Sequence, residues 1–381
     1  MEKRLRSLLL AFMLLFALAA CGGGTTSGGT SATPSASPKA SARASAETSA
    51  EPSAEAQATF KFMDSAGREV EVPTRITRIA ASGAMAQIVV FALAPDMLVG
   101  IENEWSDSAK QYIDLKYQDL PVFGAFYGSE DINLEEVAAQ EPQVIIDVGE
   151  AKKSVVEDMD GIMEQVGIPT VHIDATMDTM ADAYRMLGKL LGMEEEAEVL
   201  AQYCQTVNAR THEIVDNVGA GGKANLVYCT GDDGLNVLAN GSYHAEILDL
   251  IANNVAVVED PSSKGSGNPI DMEQLLNWNP DVIIFAPDSA FDIAGSDSTW
   301  QKLGAISSGN YFEVPYGPYN WMGFPPSVNR YMGMLWMAQL LYPDVAGYDM
   351  FKETAEYYEL FYHCALTEAQ YNALVANSLG K

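Results

Sequence analysis

The chain has 381 residues, with 22 Lys and Arg against 52 Asp and Glu, and a formal charge of −30. So acidic a chain is unsuited to nucleic acid and to electrostatic adhesion on anionic lipid, although scattered carboxylates are ordinarily a solvated surface and do not by themselves mark a cation binder. Its four cysteines, Cys21, Cys204, Cys229 and Cys364, contain no C-x-x-C pair, which argues against a disulfide framework and a zinc knot; the last three are read as buried free thiols, with one bridge among them as the alternative.

The chain opens "MEKRLRSLLLAFMLLFALAACGGG". Lys3, Arg4 and Arg6 precede an apolar run from Leu8 to Leu18 that is too short to span a bilayer, and Ala19 and Ala20 lead into Cys21. Residues 1–20 therefore read as a secretory signal. The "LAAC" ending resembles the bacterial lipobox, which implies cleavage before Cys21 and acylation of its sulfur; an ordinary signal with an incidental cysteine is the alternative. Residues 21–57 are dominated by Gly, Ser, Thr, Ala, Pro and Glu, a composition that cannot bury a core and reads as a tether. No later segment reads as a membrane span. The expected location is extracytoplasmic, lipid-anchored to the cell membrane or periplasmic.

From residue 58 strand and helix signals alternate. Residues 60–62 and 69–72 flank "DSAGR" as a hairpin, "ITRIA" (76–80) is a strand, and "SGAMAQIVVFALAP" is a loop and helix. Further strands are predicted at 144–147 and 170–173. From about Met177 to Val218 the pattern is helical, with a break near Gly192. Ala197, Leu200, Cys204, Val207, Thr211, Ile214 and Val218 step by three or four along one face, and "GAGG" (219–222) stops the helix. Alternation resumes with strands at 224–229, 281–286 and 311–314 and a helix at 245–252. The fold class is α/β: a first lobe over 58–176, an interlobe helix over 177–218 and a second lobe over 219–381.

The two lobes carry a repeated unit. "INLEEVAAQEPQVII" (132–146) and "IDMEQLLNWNPDVII" (270–284) align without gaps. Each starts with an N-cap, Asn133 or Asp271, followed three residues later by Glu136 or Gln274, the spacing of a capping box. A proline then ends a short helix ahead of a buried strand. Glu135 and Glu273 occupy equivalent first-turn positions. They either serve the helix dipole alone or dock, one per lobe, onto the basic pockets of a partner with two-fold symmetry.

A lipobox, a tether, two α/β lobes, one long connecting helix and paired "E…P-x-V-I-I" units resemble the solute-binding proteins of ABC importers. The resemblance is to the rigid-helix class that serves ferric siderophores, haem and cobalamin, with some molybdate or tungstate members. "FMDSAGREVEVPTRITRIA" (62–80) is similar to that family's opening. "PYNWMGFPPSVNRYMGMLWMAQLLYPD" (318–344) and "ELFYHCALTEAQYNAL" (359–374) are similar to its closing segments. The resemblance implies two Rossmann-like lobes with a ligand cleft between them, limited closure because one long helix resists bending, and an ABC permease dimer with its ATPase as partner. It implies that Glu135 and Glu273 engage permease arginines. It also implies a monomer bound to the membrane by its lipid, with no cofactor. Cleft loops after the strands make Met85, Tyr127, Ser242, Tyr243, Tyr319, Asn320, Trp321 and Arg330 the expected ligand-binding residues. Trp321 and Tyr319 would offer flat apolar surface to a chelate and Arg330 a charge to an anionic group. Trp321 as core and Arg330 paired with an acid are the competing readings.

The four histidines, at 172, 212, 244 and 363, are scattered, which argues against direct zinc or manganese capture. His172 reads as packed and His212 as exposed, while His244 lies on a cleft loop. Positive groups near the cleft are few: Arg330, Lys152 or Lys153, and Lys264. That disfavours a highly charged catecholate and leaves hydroxamates, corrinoids or a small oxyanion held by neutral donors such as Ser242 and Tyr243 at a helix start. A ferric siderophore or similar chelate ranks first on resemblance, molybdate or tungstate second, with cobalamin or haem as further alternatives. A lipid-anchored hydrolase would need a G-x-S-x-G elbow, H-E-x-x-H or S-x-x-K with its companions. The chain has none of these in the required setting and is not read as an enzyme.

Overall fold

In the computed structural model, which describes residues 58–127 and 131–379, the chain begins as a hairpin of β1 (Thr59–Met63) and β2 (Glu69–Pro73). Asp64 organises its turn: one carboxylate oxygen accepts from the backbone N–H groups of Ala66 and Arg68, the other from the Arg68 guanidinium. The signal and tether expectations, Cys21 included, lie outside the described residues.

The first lobe is built on three parallel strands in the order β3 (Ile79–Ala81), β4 (Val144–Gly149) and β5 (Thr170–Asp174). Every residue of β4 is buried, as a strand covered on both faces requires. β3 starts later than the sequence pattern predicts because the Thr77 and Arg78 N–H groups donate to the Gln143 side chain instead of to a ladder. The lobe's helices are α1 (Ala84–Leu93), α2 (Leu134–Ala139), α3 (Val155–Val166) and α4 (Met180–Leu191).

The helical stretch expected from 177 to 218 is two helices. Gly192, in the left-handed region at φ 69°, ends α4, the role glycine fills best after a helix. The chain then enters α5 (Glu194–Val218), about 37 Å long at 1.5 Å per residue. α4 and α5 approach closely at Gly188, where a Cβ would lie 2.6 Å from that of Ala197. Glu194, Glu195 and Glu196 fill the first turn of α5, where carboxylates suit the helix dipole. Ala197, Leu200, Cys204, Val207, Thr211 and Ile214 face the core, as their spacing predicts.

The second lobe has a mixed sheet made from β6 (Asn225–Thr230), β7 (Asn236–Val237), β8 (Asn253–Asn254), β9 (Asn268–Pro269), β10 (Val282–Phe285) and β11 (Tyr311–Glu313). The order is β11-β10-β6-β7-β9, with β8 also on β6; β10 is parallel to β6 and β11, and β7 is antiparallel to β6. Its helices are α6 (Glu246–Ile251), α7 (Met272–Trp278) and the short α8 (Phe291–Ala294) and α9 (Gly304–Ser308). The chain closes with α10 (Asn329–Leu341), α11 (Pro343–Ala346), α12 (Met350–Tyr362) and α13 (Glu368–Leu374). Cys204, Cys229 and Cys364 are free thiols.

The repeated units fold alike, as α2 into β4 and α7 into β10. Asn133 and Asp271 cap their helices by accepting from the N–H groups of Glu136 and Gln274. The return half of the expected capping box does not form at Asn133. Its N–H donates to the Phe123 carbonyl, and the Glu136 carboxylate accepts from Gln140. A full box is present instead at Thr367 and Gln370.

α10 is buried on all sides from Asn329 to Ala338. Gly333 allows the backbone of the preceding loop to lie against it: a Cβ there would stand 2.3 Å from the Trp321 carbonyl oxygen. Overpacking of this kind costs about 1–3 kcal/mol, and more where backbone must move. Gly333→Ala is therefore expected to lower the unfolding free energy by at least that much in a urea titration, as a lower midpoint at an unchanged m-value.

Candidate functional site

The parallel strands of both lobes end towards a common cleft, where open α/β sheets place their ligands. β3 ends at Ala81, and Ser82 and Gly83 lead into α1. The Gly83 backbone is tight, since a Cβ would stand 3.1 Å from that of Ala125. The first-turn N–H groups of α1 have no partner within the helix and lie beside a cavity of about 280 Å³ lined by Ser82 to Ala86. Asp147 to Glu150 from the end of β4, with Glu102, Tyr127 and Lys152, complete the first-lobe wall. Tyr243, His244, Ser263, Pro325 and Pro326 supply the wall from the second lobe.

Asp147 is the buried polar centre of the floor. One oxygen accepts from the Ser82 hydroxyl at 2.5 Å, and the other lies 2.6 Å from Nδ1 of His172. His172 is packed behind the floor, as its strand position predicts. At the mouth, Tyr127 is 41% exposed and its hydroxyl is bonded to the Asp158 carboxylate. The Lys152 ammonium sits 5.9 Å above the Tyr127 ring.

On the opposite wall, the Arg330 guanidinium lies 4.6 Å over the Tyr243 ring. It donates to the Tyr243 carbonyl at 3.0 Å and pairs with Glu246 at 2.8 Å. His244 stacks on Phe324, ring centroids 5.3 Å apart. Burial, with the Arg330 charge nearby, holds the His244 pKa below its ordinary range. Phe324 faces a second cavity of about 310 Å³ at the strand ends of the second lobe, lined also by Thr230, Asp288, Tyr316 and Asn320. Gly265 is needed here: a Cβ would come within 2.4 Å of the Phe324 ring.

Of the residues singled out from sequence, the structure brings Met85, Tyr127 and Tyr243 to the first cavity and Asn320 to the second. Four others lie elsewhere. Trp321 is 0% exposed and lines neither cavity, so its ring is core rather than chelate surface. Arg330 is 2% exposed, and its charge is engaged by Glu246 instead of facing a ligand. Tyr319 packs against Trp105 and Tyr362, its hydroxyl accepting from Gln87 at 2.9 Å. Ser242 is buried just before Tyr243 and lines neither cavity. The "NWMGFPPSVNR" loop does form a wall, but through Phe324, Pro325 and Pro326. Glu135 and Glu273 are both exposed in the first turns of α2 and α7. Asp147, Glu102 and Ser263 were not singled out from sequence. Asp147 carried a signal, a carboxylate at the carboxyl end of an apolar parallel strand. Glu102 and Ser263 sit in loops with no comparable pattern.

A family model described as periplasmic binding protein matches residues 79–316. No curated protein matches the chain. Among solved structures, an ABC transporter solute-binding protein from Sulfurospirillum deleyianum is 24% identical with a TM-score of 0.76, over 83% of this chain and 99% of that one. A periplasmic solute-binding protein from Veillonella parvula is 24% identical with a TM-score of 0.70, over 84% and 98%. The molybdate-bound periplasmic binding protein MolA of Haemophilus influenzae is 19% identical with a TM-score of 0.65, over 81% and 99%. At these identities the likeness is one of fold.

Two outcomes follow from the geometry. Trp321→Ala is expected to cost about 3–5 kcal/mol of stability, the range for emptying a buried aromatic site, in a denaturant titration, while leaving ligand affinity unchanged by calorimetry. His244 is expected to titrate below 6.5 when followed by NMR. Because its folded pKa is depressed, the unfolded chain binds more protons. Its contribution to stability is therefore complete above 6.5 and is lost as pH falls through the folded value.

Proposed function

The chain belongs to the periplasmic binding protein family, and we propose that it captures a ferric siderophore or similar metal chelate and delivers it to the permease of an ABC importer. It is an extracytoplasmic solute-binding protein and not an enzyme. The observation that carries the ligand reading is the cleft itself, walled by both lobes at their strand ends. Its two cavities, about 280 and 310 Å³, are at the lower end of small-molecule sites singly and well within that range together. Among the described residues, no group of three or more His, Cys, Asp or Glu side chains is gathered to hold a metal ion. That favours a metal arriving already chelated.

The oxyanion reading, molybdate or tungstate, has one observation in its favour: the N-terminus of α1 opens on the floor beside the Ser82 hydroxyl, a setting that suits an anion. Calorimetric titration with ferric hydroxamates, ferric catecholates, cobalamin, haem, molybdate and tungstate in parallel separates the readings. Saturable binding of a ferric chelate alone supports the first, and binding of molybdate or tungstate alone replaces it with the second.

Delivery rests on Glu135 and Glu273, exposed at equivalent places in the two lobes and read as the contacts to permease arginines. The lipid anchor at Cys21 belongs to the same proposal, holding the protein close to its permease. Charge reversal at both glutamates, Glu135→Lys with Glu273→Lys, is expected to abolish uptake into cells while the purified protein binds ligand as before. Undiminished uptake would remove the docking role.

A further inference from the structure

The cleft is divided, and the division bears on the size of the solute, an inference that rests on the cleft being the solute site. His244 lines the first cavity and Phe324 the second. The two rings stack with centroids 5.3 Å apart and planes 22° apart, so together they form a wall between the cavities. Two loops cross at the same place: Ser263 and Pro325 line the first cavity, Gly265 and Phe324 the second. At about 280 and 310 Å³, each cavity alone is at the bottom of the range for small-molecule sites. A hexadentate chelate wrapped around one metal ion needs both.

Only one side of this wall is firmly held. His244 belongs to the helical turn Tyr243–Ala245 ahead of α6 and packs edge-on against the Tyr243 ring. Phe324 is half-buried and has no polar atom to anchor its ring. The second cavity borders that ring and gives it room to turn. Gly265 decides whether the rings can close. A Cβ there would stand 2.4 Å from the Phe324 ring and 3.3 Å from Cε1 of His244.

We propose that Phe324 determines the size of solute the cleft accepts. Closed on His244, its ring confines a small solute to one cavity; a hexadentate chelate binds by displacing the ring and joining the two. Affinity for the large solute is then reduced by the fraction of molecules in which the wall is open, whereas affinity for a small one is not.

The test keeps metal, donor groups and charge constant and changes only bulk. The purified full chain is titrated calorimetrically with two neutral gallium(III) complexes, one of N-acetyl desferrioxamine B, a single hexadentate trihydroxamate, and one of acetohydroxamate, a small bidentate ligand. Gallium(III) stands in for iron(III) and is diamagnetic, so the His244 Cε1–H signal can be followed by NMR in the same samples. The large complex is expected to move that signal towards its position in the free Phe324→Ala variant, and the small complex to leave it in place. Phe324→Ala removes the ring, and Gly265→Ala keeps it but crowds it off His244. Each is expected to lower the ratio of the large to the small complex's Kd at least about tenfold, a factor equivalent to 1.4 kcal/mol. An unchanged ratio in both variants, or binding of the large complex with the His244 signal unmoved, overturns the role of Phe324 and leaves the chelate reading in place. Failure of both complexes to bind overturns that role and the ferric-hydroxamate reading together.

Discussion

The second-lobe wall of the cleft depends on one desolvated ion. Arg330 enters the protein at the start of α10 with 2% of its surface exposed. A buried guanidinium needs compensation, and breaking such a pair costs about 3–5 kcal/mol. Glu246 at the start of α6, the Tyr243 carbonyl and the Tyr243 ring supply most of it, while the Arg330 Nε has no hydrogen-bond partner among the described residues. The same turn of α10 carries Asn329, which donates to the Asn320 carbonyl and accepts from the Ser327 N–H. Tyr243, His244 and the 320–328 loop are therefore positioned by a single buried turn, and the cleft inherits its geometry.

The first-lobe wall has a different origin. Parallel pairing of β3, β4 and β5 brings their carboxyl ends into line, and each strand then delivers a functional group as it leaves the sheet. Ser82 follows β3, Asp147 lies near the end of β4, and His172 stands beside it on β5 in register. The two walls meet in the cleft. The Arg330 charge of the second wall is engaged by Glu246 within its own support, and the Asp147 carboxylate of the first is engaged by Ser82 and His172.

The overall charge of −30 would raise the local concentration of cations near any face of this protein, but a general field is not selectivity. A fixed charge differs from such a field in being held by its neighbours, as Asp147 is, buried between Ser82 and His172. Glu135 and Glu273 are the opposite case. They are exposed carboxylates in the first turns of short helices.

Much was determined by the sequence alone. The α/β class, the parallel strands, the long α5 and the matched α2–β4 and α7–β10 units follow from local periodicity and capping, which act between residues close in the chain. The positions of Met85 and Tyr243 were legible for the same reason, since each lies at a helix start. What only the tertiary structure decided were the fates of Trp321, Tyr319, Ser242 and Arg330. A Trp in a Pro-rich loop has the same local signature whether it faces a ligand or the core. Gly333 settles that by letting the Trp321 backbone lie against α10, and an arginine's charge is free or engaged according to whether a carboxylate 84 residues away folds beside it. Such choices depend on which distant surfaces exclude water together, and no short stretch of sequence records that.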